Sequence, residues 1–311
     1  MAVPANTAQT YQGTVNREDL SDVVYMISPT ETPFLSMAAR AKASNTLHEW
    51  TTDVLETAAN NAKVEGDEAS AGTVNPGARI NNRTQISSKV VRISGTQQSV
   101  QAAGNLYSMA KQMAKKSAEL KRDMEVALTQ NTTAVVGSAS VARQLRGLEG
   151  WIKTNNSLGS GGAAPNPDTN TAPTDGTQRA LTEAIVKSVL QQIWTAGGNP
   201  DTIMVGGTQK QLFSTFNGGG TQMGDLDDKK LTAAVDIYVS DFGTHKVVPN
   251  RFQRARTGFV LESEKWAVAY LRPFQTEALA KTGDSDAKQI VVEYTLEARN
   301  EASSGAARDL S

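Results

Sequence analysis

Residues 56–80 form a polar excursion, and a stretch of that kind cannot be buried in the chain's own core. It holds Gly66, Gly72, Pro76 and Gly77 and almost no large apolar side chain. Residues 47–55 and 85–93 flank it and are rich in Thr, Val and Ile with one Trp, a composition that predicts strands. Residues 46–95 therefore read as a two-stranded ribbon with a loose tip. A lone two-stranded ribbon is marginal in water and needs another surface to lie on.

The ribbon's charges are segregated. Six acids (Glu49, Asp53, Glu56, Glu65, Asp67, Glu68) stand against Lys63 alone on the outgoing limb, and four bases (Arg79, Arg83, Lys89, Arg92) with no acid on the returning limb. Two readings follow and can coexist. The limbs pair across the hairpin, worth a few tenths of a kcal/mol per exposed pair, or the ribbon offers complementary charge to adjacent copies.

Residues 105–130 carry a helical signature. Leu106, Ala110, Met113, Ser117, Leu120, Met124 and Leu128 recur at spacings of four and three and mark one face. Asn105 is the expected N-cap, and Lys115 with Glu119 and Lys121 with Glu125 are expected surface pairs. At 1.5 Å per residue the segment makes a rod of roughly 39 Å.

The remainder divides around this strut. Residues 1–45 read as an irregular arm with a short helix over 19–27, ended by Pro29 and Pro33, and an apolar anchor at Phe34, Leu35 and Met37. Residues 155–178 read as a loop or linker. A helix is expected over 181–196 with Leu181, Ile185, Val189 and Ile193 inward, stopped by Gly197-Gly198-Asn199-Pro200. A strand at 202–205 and a helix near 208–216, broken by Gly218-Gly219-Gly220, follow. Then come strands in which Val235, Ile237 and Val239 alternate with Asp236, Tyr238 and Ser240, a turn at 241–244, and a return at 246–248. Further strands are expected at 258–261, 266–271 and 289–297, the last with Ile290, Val292, Tyr294 and Leu296 on one face. The fold class is α+β.

Catalytic signatures are scarce. Bases and acids balance at 31 to 32, which excludes a surface built mainly to grip nucleic acid. Cysteine is absent, so disulfides and thiolate metal sites are excluded. No phosphate loop, dinucleotide fingerprint or nucleophile elbow occurs. The longest apolar run, six residues from Trp266 to Leu271, is too short to span a bilayer. His48 reads as a packed or solvated strand residue, and His245 as an exposed turn histidine despite nearby Asp241. Asp225, Asp227 and Asp228 lack the glycine and terminal glutamate of a calcium loop. Arg251, Arg254 and Arg256 form a small basic cluster, read as solvated loop or as facing DNA. No catalytic, metal or cofactor residue is expected.

In order along the chain, several short stretches resemble one family. They are Ser28 to Leu35 (SPTETPFL), His48-Glu49-Trp50, Glu65-Gly66-Asp67, Arg79 through Val91, Gly147-Leu148-Glu149-Gly150-Trp151-Ile152, Gly197 to Pro200, and Ser240-Asp241-Phe242-Gly243. They are similar to the major capsid proteins of tailed bacteriophages with the Hong Kong 97-type fold, and more narrowly to the group found in some short-tailed phages and prophages. The resemblance implies an N-terminal arm (1–45), an extended ribbon or E-loop (46–95), a peripheral domain with a spine helix (96–150), an axial domain (151–264) and C-terminal strands returning to the peripheral domain (265–311). It also implies pentamers and hexamers tiling an icosahedral shell around double-stranded DNA, with a separate scaffolding protein, a portal and a possible decoration protein as partners, and no membrane. Only about 45 residues precede the ribbon, so a fused scaffold is not expected. The expected intersubunit contacts are Glu49, Asp53, Glu65, Asp67, Glu68, Arg79, Arg83, Lys89 and Arg92. The expected spine core is Leu106, Met113, Leu120 and Met124. Some relatives cross-link a ribbon lysine to a neighbour's asparagine, but Lys63 alone in a polar loop does not predict that here. The competing readings are a tail-tube or decoration protein, and an enzyme or binding module using the glycine-rich middle region.

Overall fold

The computed structural model describes residues 29–68, 72, 74, 76–100, 107–216 and 236–311. The expected helix at 19–27, the triglycine break, Val235, the aspartates at 225–228, Asn105 and Leu106 lie outside them.

The described chain begins with a short helix, α1 (Pro33–Met37), with Pro33 in its first turn, where a missing N–H costs nothing. Strand β1 (Ala39–Lys42) follows, then the ribbon strands β2 (Leu47–Thr52) and β3 (Ala78–Arg83). Next come β4 (Gln85–Ser94) and the single-turn α2 (Gly95–Ser99), capped by the Ser94 hydroxyl. The strut is α3 (Met109–Gln130), whose cap is Ser108, accepting from the Lys111 N–H at 3.3 Å. Its 22 residues span roughly 33 Å.

Leu120, Met124 and Leu128 are fully buried, as the apolar spacing predicts, and Met113 packs at the edge of the same core. Their partners are Trp266 and Val268 of β10 (Trp266–Ala278) and Ile290, Val292, Tyr294 and Leu296 of β11 (Ser285–Ala298). The four β11 residues are two apart and point to one face, as expected. The sheet runs β1-β10-β11-β4, with β1 parallel to β10 and the other pairs antiparallel. Beyond Tyr270 the β10 register slips twice, around Pro273, which has no N–H for a ladder bond.

The short helix α4 (Leu148–Trp151) leads into β5 (Asn155–Ser157). A Cβ on Gly150 would overlap the Thr132 carbonyl, so the close pass of α4 beneath the end of α3 requires glycine. Then follow α5 (Glu183–Thr195), β6 (Thr202–Val205), α6 (Gly207–Phe213), β7 (Ile237–Ser240), β8 (Gly243–Pro249) and β9 (Gly258–Leu261). The last strand, β12 (Gly305–Ala307), completes a six-stranded sheet in the order β5-β12-β9-β6-β8-β7. One face of this sheet (Ile203, Val205, Val260, Ala307) meets Val186, Val189, Leu190 and Ile193 of α5. The other face (Met204, Phe259, Leu261, Ala306) closes the first core. The sheet therefore serves two cores at once. Helix α5 ends as expected, with the Gly198 N–H donating back to the Ile193 carbonyl at 2.9 Å.

Four expectations change. Residues 155–178 are not a free linker. They carry β5, and the backbone N–H groups of Gly159 and Gly176 donate to the Asp309 carboxylate at 2.9 and 2.7 Å. The chain's end does not stay with the four-stranded sheet, because β12 and the buried Leu310 join the six-stranded sheet and second core. In β7 the faces are reversed: Ile237 and Val239 are exposed while Tyr238 enters the core between Phe213 and His245. An edge strand follows whichever face its neighbours leave open, and here an aromatic ring filled the space. Finally, His245, expected as an exposed turn residue, is fully buried. It sits between the Ser240 hydroxyl at 2.7 Å and the Pro200 carbonyl at 2.8 Å, and burial holds its pKa below the usual histidine value.

Candidate assembly site

The ribbon is shorter in its pairing than its sequence implies. Strand β2 pairs with β3, Leu47 opposite Arg83 through Thr52 opposite Ala78, and β4 leaves to pair with β11. The second limb is thus Ala78–Arg83, not residues 85–93. Strand β4 is drawn away because Val91 and Ile93 supply a buried face that a free ribbon could not use.

Its base is locked to the body. Asn82 is fully buried; its amide donates to the carbonyls of Arg146 and Leu296 at 2.9 and 2.8 Å, and its oxygen accepts from the N–H groups of Arg146 and Arg83, both at 2.9 Å. Trp50 donates from Nε1 to the Ala298 carbonyl at 2.8 Å and packs against Trp151, with ring centroids 5.5 Å apart. His48 lies 3.0 Å from Glu297. Beyond this base the tip is bare: Leu55 is 99% exposed, and Val54, Val64 and Val74 are also exposed. The Asp67 N–H closes a turn on the Val64 carbonyl at 3.0 Å, and Gly66 takes the left-handed φ of +85° that the third position of such a turn favours. This turn presents Glu65 and Asp67 to solvent.

The expected contact residues separate into four sets. Glu49 and Arg79 pair across the hairpin. Asp53, Glu65, Asp67 and Glu68 are exposed and, among the described residues, have no ion-pair partner. Arg83 lines a cleft of about 350 Å³ at the ribbon base together with Arg79 and Arg146. Lys89 and Arg92 belong to β4 and not to the ribbon, with Lys89 paired to Asp123 of α3 at 2.6 Å.

Reading the surface alone missed the residues that fasten the parts together. Glu125, expected to pair with Lys121 on the helix surface, is fully buried. It accepts from the N–H groups of Phe34 and Leu35, both at 2.8 Å, and from the Asn250 amide at 2.7 Å. It thereby ties the start of α1, the strut and the second sheet to one carboxylate. Burial pushes that carboxyl above the ordinary glutamate range, and the three donors pull against the rise. Glu119 pairs with Lys116 at 2.7 Å and not with Lys115. Arg308 near the chain's end is buried against Glu149 and donates to the Asn156 side chain at 2.8 Å. Asn82 lay outside both expected ribbon strands, and no sequence signal pointed to it; only the structure puts it in β3.

Among the described residues no cluster of three potential metal ligands occurs, and no helix is long and apolar enough to cross a membrane. Ser240 and His245 form a hydrogen-bonded pair, but the ring's other nitrogen faces the Pro200 backbone carbonyl and no carboxylate. That environment fastens a turn.

A long helix under a four-stranded sheet, a second sheet shared by two cores and a projecting ribbon define the Hong Kong 97-type α+β fold of phage shell proteins. The family model described as SU10 major capsid protein matches residues 4–311, and the chain belongs to that family. The major capsid protein of Escherichia phage Phieco32 is 28% identical over 319 residues, covering 91% of each chain. Among solved structures, a chain of the Cyanophage A-1(L) capsid asymmetric unit superposes with a TM-score of 0.67 at 14% identity, covering 97% of this chain and 99% of that one. A chain of Gordonia phage Cozz gives 0.62 at 10% identity, covering 99% and 97%. At such identities the structural likeness speaks for the fold. The family carries the role: a shell-forming capsid protein of the phage virion.

Proposed function

We propose that copies of this chain assemble as pentamers and hexamers of an icosahedral shell, with the ribbon as the clamp that overlaps a neighbour. The observation that carries this reading is the contrast within the ribbon. Its base is fixed by the three long-range hydrogen bonds of Asn82, while its tip exposes Leu55, Val64 and unpaired acids that no described residue of the same chain covers. An extension of this kind raises the surface per residue of a monomer and is repaid only by burial on another copy.

The contacts proposed are Asp53, Glu65, Asp67, Glu68, Arg79 and Arg83 from the ribbon, with Glu49 holding Arg79 in place. Lys89 and Arg92 would act from β4, on the sheet. In this reading the strut and four-stranded sheet form the peripheral domain, and the region around α5 and the six-stranded sheet the axial domain. The proposed partners are a separate scaffolding protein, a portal, packaged double-stranded DNA held without sequence preference, and a decoration protein. The short-tailed group of phages is the proposed setting of this chain.

The test is a deletion. Ile80 packs against the first core, so the excision is confined to residues 56–75, closed by a short turn. The variant should keep the far-UV circular dichroism of the native protein and sediment as unassembled subunits or small oligomers under conditions where the native chain forms shells. Normal closed shells from the folded variant would remove the ribbon from the assembly mechanism.

A further inference from the structure

The cleft at the ribbon base is cationic in an unusual way. Arg79, Arg83 and Arg146 line it, together with Asp168 and Asn170. Two of these charges are already engaged, since Arg79 pairs with Glu49 and Asp168 with Lys153. Arg83 and Arg146 have no carboxylate at ion-pair distance among the described residues.

Arg146 is the telling one. It is only 5% exposed, its guanidinium lies 4.8 Å over the Trp151 ring, and its sole side-chain hydrogen-bond acceptor among the described residues is the Asn170 amide oxygen at 2.8 Å. Burial depresses its pKa, with Asp168 opposing at longer range. A buried cation without a paired anion is costly, and such a cost persists where an anion arrives from elsewhere.

The same chain carries the complementary group. Glu65, Asp67 and Glu68 are exposed around the turn at Gly66, with Lys63 the only nearby base. Glu65 lies thirteen positions after Thr52, a reach of up to about 45 Å when extended. Because the ribbon starts beside its own cleft, its tip would have to double back completely to enter it. The cleft of a second copy needs no such reversal.

We propose that the acidic ribbon tip of one copy, Glu65 to Glu68, docks in the Arg79–Arg83–Arg146 cleft of a second copy. This rests on the shell-forming reading above and names the seat of its clamp.

Cysteine is absent from the chain, so introduced thiols are unambiguous. The test uses the full chain carrying Asp67→Cys and Asn81→Cys, assembled and then oxidised, with each single variant as control. The expected result is a ladder of covalent dimers and higher oligomers on a non-reducing denaturing gel, absent from the single variants. Should that pair fail to assemble, Glu68→Cys with Asn81→Cys asks the same question. Intact shells that yield only monomers overturn the docking while leaving the shell reading standing; a faster-running monomer shows the tip folded into its own cleft and also overturns it. Arg83→Glu should lower shell yield at least ten-fold with an unchanged circular dichroism spectrum. Normal Arg83→Glu shells that retain less DNA would instead assign the cleft to phosphate. Failure of the unmodified chain to form any shell would count against the function itself.

Discussion

Replacing Asn82 by alanine should loosen the ribbon at its root. The substitution removes three long-range hydrogen bonds, two donated to the carbonyls of Arg146 and Leu296 and one accepted from the Arg146 N–H. Each such bond is worth roughly 1 kcal/mol net, and a buried partner left unmade costs about 1–3 kcal/mol. Asn82 is fully buried, so water cannot replace the lost amide without opening the site. The sum is a loss of about 3–5 kcal/mol, which for a chain of this size corresponds to a fall in Tm of roughly 10 °C. The loss should also be local. Hydrogen exchange of the amides in β2 and β3 should accelerate well before those of α5 and β6, because the side chain of Asn82 bonds, outside its own strand, only to the loop before α4 and the end of β11. Asn82→Asp should be worse at neutral pH, since a carboxylate would face two carbonyl oxygens. An Asn82→Ala protein with an unchanged melting temperature and unchanged protection of 47–52 and 78–83 would refute the claim that this residue locks the ribbon.

Other outcomes follow from the same contacts. Leu120→Asp places a carboxylate at a fully buried position beneath the four-stranded sheet, at a cost of several kcal/mol, and should yield insoluble protein on expression. Glu149→Ala strands the buried Arg308 and should cost about 3–5 kcal/mol; adding Arg308→Met should recover part of the lost melting temperature, because the orphaned charge is removed with it. His245 titrates below its ordinary value of 6.5 in the folded chain, so the unfolded state binds the extra proton first. Stability should therefore fall as pH drops below about 6.5, down to the depressed folded value, and a pH series of melting curves should show this fall in the native chain but not in His245→Gln.

What local sequence determined here is periodic structure. The spacing of Leu120, Met124 and Leu128 is a property of one helix, and the alternation of Ile290, Val292, Tyr294 and Leu296 a property of one strand, so both could be read without knowing what they touch. The polar content of residues 56–80 likewise predicted a stretch outside the chain's own core, and the described residues 56–68 are exposed while Ile80, at the far end, packs against the first core. Tertiary structure decided matters in which two distant segments compete. Strand β4 looked like a ribbon limb because its composition suits any strand; its pairing with β11 reflects the buried face it gains there. Tyr238 and not Ile237 points inward because β7 lies at a sheet edge beside a space shaped by Phe213 and His245. Glu125, Asn82 and Arg308 are polar residues with ordinary surface spacing, and their burial follows from partners 64 to 214 positions away for Asn82, 90 to 125 for Glu125 and 152 to 159 for Arg308. A hydrogen bond to a distant backbone leaves no period in the sequence, so the joints of this molecule were visible only once the chain had closed on itself.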